Sequence, residues 1–133
     1  MSLPTTSKAR KKVPLAGGLL GYFPAALAGV ANTSFKGNEK HNPGQPLHHA
    51  RGKSTDHEDC IVRHLVDVQD LIALHERGVK GIVIEDDEGN EVPVLVIDRL
   101  LEEASSLCWR ALALSQTLHE KYADALLAPK AKL

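Results

Sequence analysis

Apolar residues recur along this chain with two periods, and the changes between them mark its elements. After Phe23 comes a run of small apolar positions, Ala25, Ala26, Leu27, Ala28, Val30 and Ala31. Pro24 suits a first helical position and Gly37 can close the end, so a helix is predicted over residues 24–37. A second helix is signalled by Ile61, Leu65, Val68 and Ile72, which recur at i, i+4, i+7 and i+11. Thr55, Asp56 and Glu58 ahead of it have the pattern of a capping box, and Gly78 suits its end.

From Lys80 to Ile97 the period changes. Two β-branched runs, one from Gly81 to Glu85 and one from Val92 to Ile97, flank the polar stretch Asp86 to Asn90, which predicts a β-hairpin. Pro93 places its strand at an edge or a bulge. The helical period then returns in Leu100, Ala104, Leu107, Ala111, Leu114 and Leu118, with Asp98 as the expected N-cap and an end near Leu126. The predicted fold is mainly α: a small helical bundle of three main helices with a β-hairpin inserted before the last long helix. Residues 1–14 read as a flexible basic lead-in, 15–127 as a single helical domain and 128–133 as a tail.

Between Gly37 and Lys53 the punctuation is dense, with Pro43, Gly44, Pro46 and Gly52, so this stretch reads as a loop. Loops that long inside a compact domain are usually functional or disordered. The segment from Gly37 to Asp67 also holds five of the seven histidines, but they lack the HExxH spacing or cysteine partners of a zinc site. No phosphate-binding glycine loop and no nucleophile elbow is present.

A chain of 133 residues, 43% hydrophobic, fits one domain. The formal net charge of −1 offers no global field to attract nucleic acid or an acidic membrane, so no stable nucleic-acid binding is expected. Lys8, Arg10, Lys11 and Lys12 cluster in the lead-in, where a solvated tail accounts for them. Cys60 and Cys108 both sit within helix-like apolar patterns, which predicts buried thiols in a reducing compartment. No apolar run reaches the length of a membrane span, so a cytoplasmic chain is expected.

The polar positions suggest chemistry. Arg63, Asp67 and Asp70 fall on one face of the second helix with His64 beside them, running back to Asp56 and Asp59. Carboxylates at helical spacing suit Mg²⁺ or Mn²⁺, which take oxygen ligands and bridge phosphates. A solvated face with Arg63 paired to Asp67 explains the same spacing. On the last helix Glu103, Ser106 and Arg110 share a face. If the two faces meet, Arg63, Arg110, Lys40 and Lys53 would neutralise a polyphosphate.

The run from Gly21 to Ala28, the segment GNEKHNPGQPLH from Gly37, KSTDH from Lys53, Arg63-His64-Leu65 and WRALAL from Trp109 together resemble a family of small phage proteins. These are the dATP/dGTP diphosphohydrolase, N-terminal domain proteins, loosely associated with the MazG-like all-α nucleotide pyrophosphohydrolases. The resemblance covers residues 15–78 and 98–118. It implies a metal-dependent hydrolase that converts purine deoxynucleoside triphosphates to monophosphate and pyrophosphate in phage nucleotide metabolism, in the host cytoplasm if the chain is phage-encoded.

On that resemblance Glu39, Asp56 and Asp59 would hold metal or the attacking water, and Glu103 would complete a metal set with Glu39 and Asp59. Lys40, Lys53, Arg63 and Arg110 would bind phosphates, while Asn42 and His64 would orient substrate. Acidic residues common in the family are replaced by Ala25 and Gly29, and the hairpin is an insertion. A catalytically impaired nucleotide-binding or oligomeric interaction module is therefore the alternative reading. A His-Asp triphosphohydrolase is a further one, weakened because Glu58 follows His57 where that chemistry needs aspartate. The limited core predicts a homo-oligomer, a dimer or a tetramer.

Overall fold

In the computed structural model the described residues are 2–50, 53–123 and 131–132. The order is a one-turn α1 (Ser7–Arg10), a π-helical turn over Ala16–Leu20, α2 (Pro24–His41), β1 (His49–Ala50), α3 (His57–Glu76), β2 (Gly81–Glu85), β3 (Glu91–Leu95), α4 (Val96–Tyr122) and β4 (Ala131–Lys132). The mainly α fold with a hairpin ahead of the last long helix is therefore present. The basic lead-in contains a short helix, in which Thr6 Oγ1 accepts from the Ala9 amide at 3.3 Å.

Helix α2 starts at Pro24 as expected but runs through Gly37 to His41. A glycine ends a helix by taking a left-handed φ, and here Gly44 does so, at 75°, after Pro43 has stopped the helix. Glu39, Lys40 and His41 consequently lie on the last turn of a helix, where a loop was predicted. The Asn42 amide closes that turn by donating to the Asn38 carbonyl at 2.7 Å.

Helix α3 begins after Asp56, whose side chain makes no capping bond to the backbone. The predicted capping box is thus not formed; the Asp56 carboxylate turns to Cys60 and Arg63 instead. At the other end Gly78, with φ of 82°, follows the last turn as expected. The hairpin pairs Gly81 with Leu95 through Glu85 with Glu91 in antiparallel register. Asp86 Oδ1 organises its turn by accepting from the Glu88 and Asn90 amides at 3.0 and 2.7 Å. Pro93 stands opposite Val83 in a sheet of two strands, both of them edges, where its missing N–H is tolerated.

The second strand leads into α4 without a break. Leu95 occupies the N-cap position and the Val96 amide donates to the Lys80 carbonyl at 2.9 Å, so Asp98, the expected cap, lies inside the first turn. The predicted end near Leu126 falls outside the described residues. β1 and β4 pair in parallel, His49 with Ala131 and Ala50 with Lys132, a contact that no sequence pattern announced.

Helices α3 and α4 pack antiparallel. His64 meets Glu103 and His57 meets Arg110, seven residues apart on each helix. The same register sets Leu71 opposite Val96, and these two are buried. Seven-residue spacing on both partners is the pattern of a coiled-coil seam. The seam therefore passes through His57, Cys60, His64 and Leu71. Predicted stripe residues Leu65 and Ile72 are exposed on its flank.

On α4 the residues beside the seam on one side meet α2: Trp109 Nε1 donates to Ser34 Oγ at 2.7 Å, and Lys36 pairs with Glu102 at 3.3 Å. Among the described residues the buried apolar side chains are Cys60, Leu71 and Val96, with Asn38, His57 and Glu103 buried beside them. Cys108, expected to be buried, is exposed because it lies on the outer side of α4, away from the seam. Among the described residues no helix is long and apolar enough to cross a membrane.

Candidate functional site

The centre of the α3/α4 seam is ionic. Glu103, 4% exposed, places Oε2 2.6 Å from His64 Nδ1 and Oε1 2.7 Å from Arg99 Nη2, one turn earlier on its own helix. Asp67, one turn beyond His64 on α3, adds a second carboxylate. One ligand atom from each of His64, Asp67 and Glu103 lies within 4.8 Å of the other two. Metal–donor bonds near 2.0–2.2 Å would need the three atoms to draw closer than this before one ion could take them all. A nitrogen with two carboxylates suits Mn²⁺ and other first-row transition ions better than Mg²⁺.

A second polar group lies one to two turns toward the start of α3. Arg63 Nη2 is 3.1 Å from Cys60 Sγ and 3.4 Å from Asp56 Oδ2, and the Cys60 thiol donates to the same carboxylate oxygen at 3.5 Å. Arg110 of α4 reaches His57 Nδ1 at 3.4 Å. The Cys60 hydrogen bond, with help from Arg63 and the charge of Arg110, holds the Asp56 carboxyl below its ordinary range. The Cys60 sulfur and Asp56 in turn raise the Arg63 guanidinium. Asp56 is thus an ionised acceptor flanked by two guanidinium groups.

The remaining predicted residues are placed elsewhere. Lys40 is bonded to Asp87 in the hairpin turn, which raises the lysine and lowers the aspartate. Asn42 ends α2, Lys53 is exposed ahead of α3, and Glu39 is exposed on α2. Asp59 is exposed roughly 140° around α3 from His64, at about 100° per residue. Neither Glu39 nor Asp59 joins Glu103: among the described residues the grouped metal-ligand atoms are those of His64, Asp67 and Glu103. The bond expected between Arg63 and Asp67 is replaced by the one from Arg63 to Asp56.

Gly29 lies against Ser105 so closely that an added Cβ would collide with its hydroxyl. Ser105 and Glu103 are two residues apart on α4 and point to different sides of it. The sequence placed Asp67 on the polar face without grouping it with Glu103; it singled out His57 only for His-Asp chemistry and Cys60 only as a buried thiol, and it gave Arg99 no role. The seven-residue spacing of His57, His64 and Leu71 against Val96, Glu103 and Arg110 was the available signal. No protein-family model, curated protein or solved structure matches the chain.

Proposed function

We propose that this chain is a divalent-metal-dependent hydrolase of purine deoxynucleoside triphosphates, releasing monophosphate and pyrophosphate. The observation that carries the metal dependence is the grouping of His64, Asp67 and Glu103 within 4.8 Å on facing helices. The purine deoxynucleotide rests on the sequence resemblance. His64, Asp67 and Glu103 would hold Mn²⁺ or Mg²⁺, which when bound supplies charge neutralisation and an acidified water.

The chain's own residues account for the rest. Arg63 and Arg110 lie within two turns of the ligand group, and their planar forks match phosphate oxygens. Asp56, kept ionised by Cys60 and Arg63, accepts a hydrogen bond from a water and orients it. Hydrolysis joins the water oxygen to the α-phosphorus and breaks the bond to the bridging oxygen, so pyrophosphate departs and the released proton passes to solvent. Product analysis tests this reading: dGTP or dATP with Mn²⁺ yields pyrophosphate, whereas tripolyphosphate would select the His-Asp chemistry.

One observation favours the non-catalytic alternative. Both Glu103 oxygens are already engaged, by His64 and Arg99, as in a purely structural ionic layer. Tight dGTP binding without turnover would select that reading.

A further inference from the structure

Charge is segregated along this chain in a way that its net value hides. Five of the sixteen Lys and Arg, and none of the seventeen Asp and Glu, lie ahead of Glu39, so that part of the chain carries +5 and the remainder −6. Four of the five cluster as Lys8, Arg10, Lys11 and Lys12. Among the described residues no carboxylate pairs with any of these four. Arg10 Nη1 donates to the Pro4 carbonyl at 3.0 Å, a contact that leaves its charge in place.

The segment after these cations is apolar and folded. The Val13 amide donates to the Arg10 carbonyl at 3.0 Å, and the π-helical turn over Ala16–Leu20 closes with the Gly21 amide on the Ala16 carbonyl at 2.7 Å. Gly18 belongs to the same turn and lies so close to the Pro14 ring that a Cβ would collide with it. In an i→i+5 turn residues four and five apart are neighbours, which gathers Leu19 and Leu20 beside Leu15. The Tyr22 and Phe23 rings follow directly, 5.8 Å between centroids. Leu15, Leu19, Leu20, Tyr22 and Phe23 are 42–76% exposed. Single exposed leucines are ordinary, whereas large apolar side chains concentrated in so short a segment mark a contact surface.

The run is too short and too rich in glycine to cross a bilayer, which takes about 20 apolar residues. Cations beside exposed leucines and aromatic rings are instead what a segment lying in the headgroup region presents. The basic groups meet lipid phosphates, and the apolar side chains enter the boundary with the acyl chains.

We propose that residues 8–23 dock this chain on a bilayer surface bearing anionic lipid. Single-stranded nucleic acid would engage the same cations and stack on the two rings, but it offers Leu15, Leu19 and Leu20 no apolar phase to enter. The leucines therefore favour lipid. The same surface repels the net negative charge that follows Glu39, so the leading segment makes the contact and the rest of the chain faces away. The His64, Asp67 and Glu103 group is no part of this segment, and docking stands independently of hydrolysis.

Flotation of the full chain with unilamellar vesicles tests the proposal. Vesicles of phosphatidylglycerol mixed with phosphatidylcholine are expected to carry the chain, vesicles of phosphatidylcholine alone are not, and salt raised to about 0.5 M releases it. Lys11→Ser with Lys12→Ser weakens binding by at least about tenfold, and so does Leu19→Ser with Leu20→Ser. All four side chains are exposed, so both variants keep the parent's unfolding midpoint. Tyr22→Trp in the otherwise unaltered chain gives an independent readout, because lipids brominated in the acyl chain quench its added emission. No binding of the folded parent to the anionic vesicles overturns the proposal, and a segment that instead joins two copies shows this as a dimer that ignores vesicles. Binding that survives loss of both leucines, or that leaves the added tryptophan unquenched, overturns it too, since a purely ionic site for nucleic acid would behave in that way.

Discussion

His64 Nδ1 and Glu103 Oε2 stand 2.6 Å apart in the middle of the α3/α4 seam, closer than the roughly 2.7–2.9 Å usual for a charge-assisted hydrogen bond from nitrogen. Glu103 also receives Arg99, so removing this carboxylate leaves two donors without their acceptor. Glu103→Ala is expected to destabilise the fold by about 2 kcal/mol, discounted from buried-pair values because Arg99 and His64 are partly exposed. Urea denaturation measures it, and an unchanged midpoint would show that the seam does not depend on this pair.

A divalent metal at this site would take up the His64 and Glu103 atoms that now bond to each other. Titration calorimetry with Mn²⁺ in buffers of different ionisation enthalpy is expected to show net proton release, and affinity that rises with pH. His64→Ala abolishes both. Binding that is independent of buffer and retained in His64→Ala would place the ion elsewhere.

The Lys40 and Asp87 pair ties the end of α2 to the hairpin turn. Its hydrogen bond lowers the Asp87 carboxyl, so that carboxylate's contribution is present above its ordinary value of 3.8 and is lost as pH falls through the depressed value. The same contact raises Lys40, whose contribution is present below 10.5 and is lost as pH rises through the elevated value. Both groups are exposed, so salt weakens the pair. Carboxyl NMR titration is expected to find Asp87 titrating at higher pH in Lys40→Met than in the parent; identical titrations would dissolve the link.

Trp109 reports on the α2/α4 contact through its 2.7 Å bond to Ser34 Oγ. Ser34→Ala should cost about 1 kcal/mol and shift the emission of this lone tryptophan. Fluorescence-monitored unfolding checks both at once, and a spectrum and midpoint like the parent's would place α2 differently.

These contacts also show how much could be read in advance. The helices, the hairpin and the stop at Gly78 were legible because each has a local cause: period, turn chemistry or a left-handed glycine. The seam of α3 was not, because apolar periodicity points to the most apolar face, and here that face, with Leu65 and Ile72, is the one left exposed. The structural seam runs through His57, Cys60 and His64, whose polarity disguised it. Gly37 misled for a related reason: glycine permits a helix end, and only backbone conformation shows whether it makes one. The site was legible in part. His64, Glu103 and Arg110 do lie along the seam, with Asp56 and Arg63 beside it, whereas the grouping of Asp67 with His64 and Glu103 depends on the pairing of two helices distant in sequence.

The central claim is that the ionic layer of the seam holds a metal used for hydrolysis. Its most direct test is pyrophosphate release from dGTP and dATP by the purified chain with Mn²⁺, beside Asp67→Asn, which alters a surface ligand without disturbing the Glu103 contacts. The account predicts metal-dependent pyrophosphate from the parent and at least a hundredfold less from the variant. No pyrophosphate from folded parent protein at any metal concentration, or equal release from both, would contradict it.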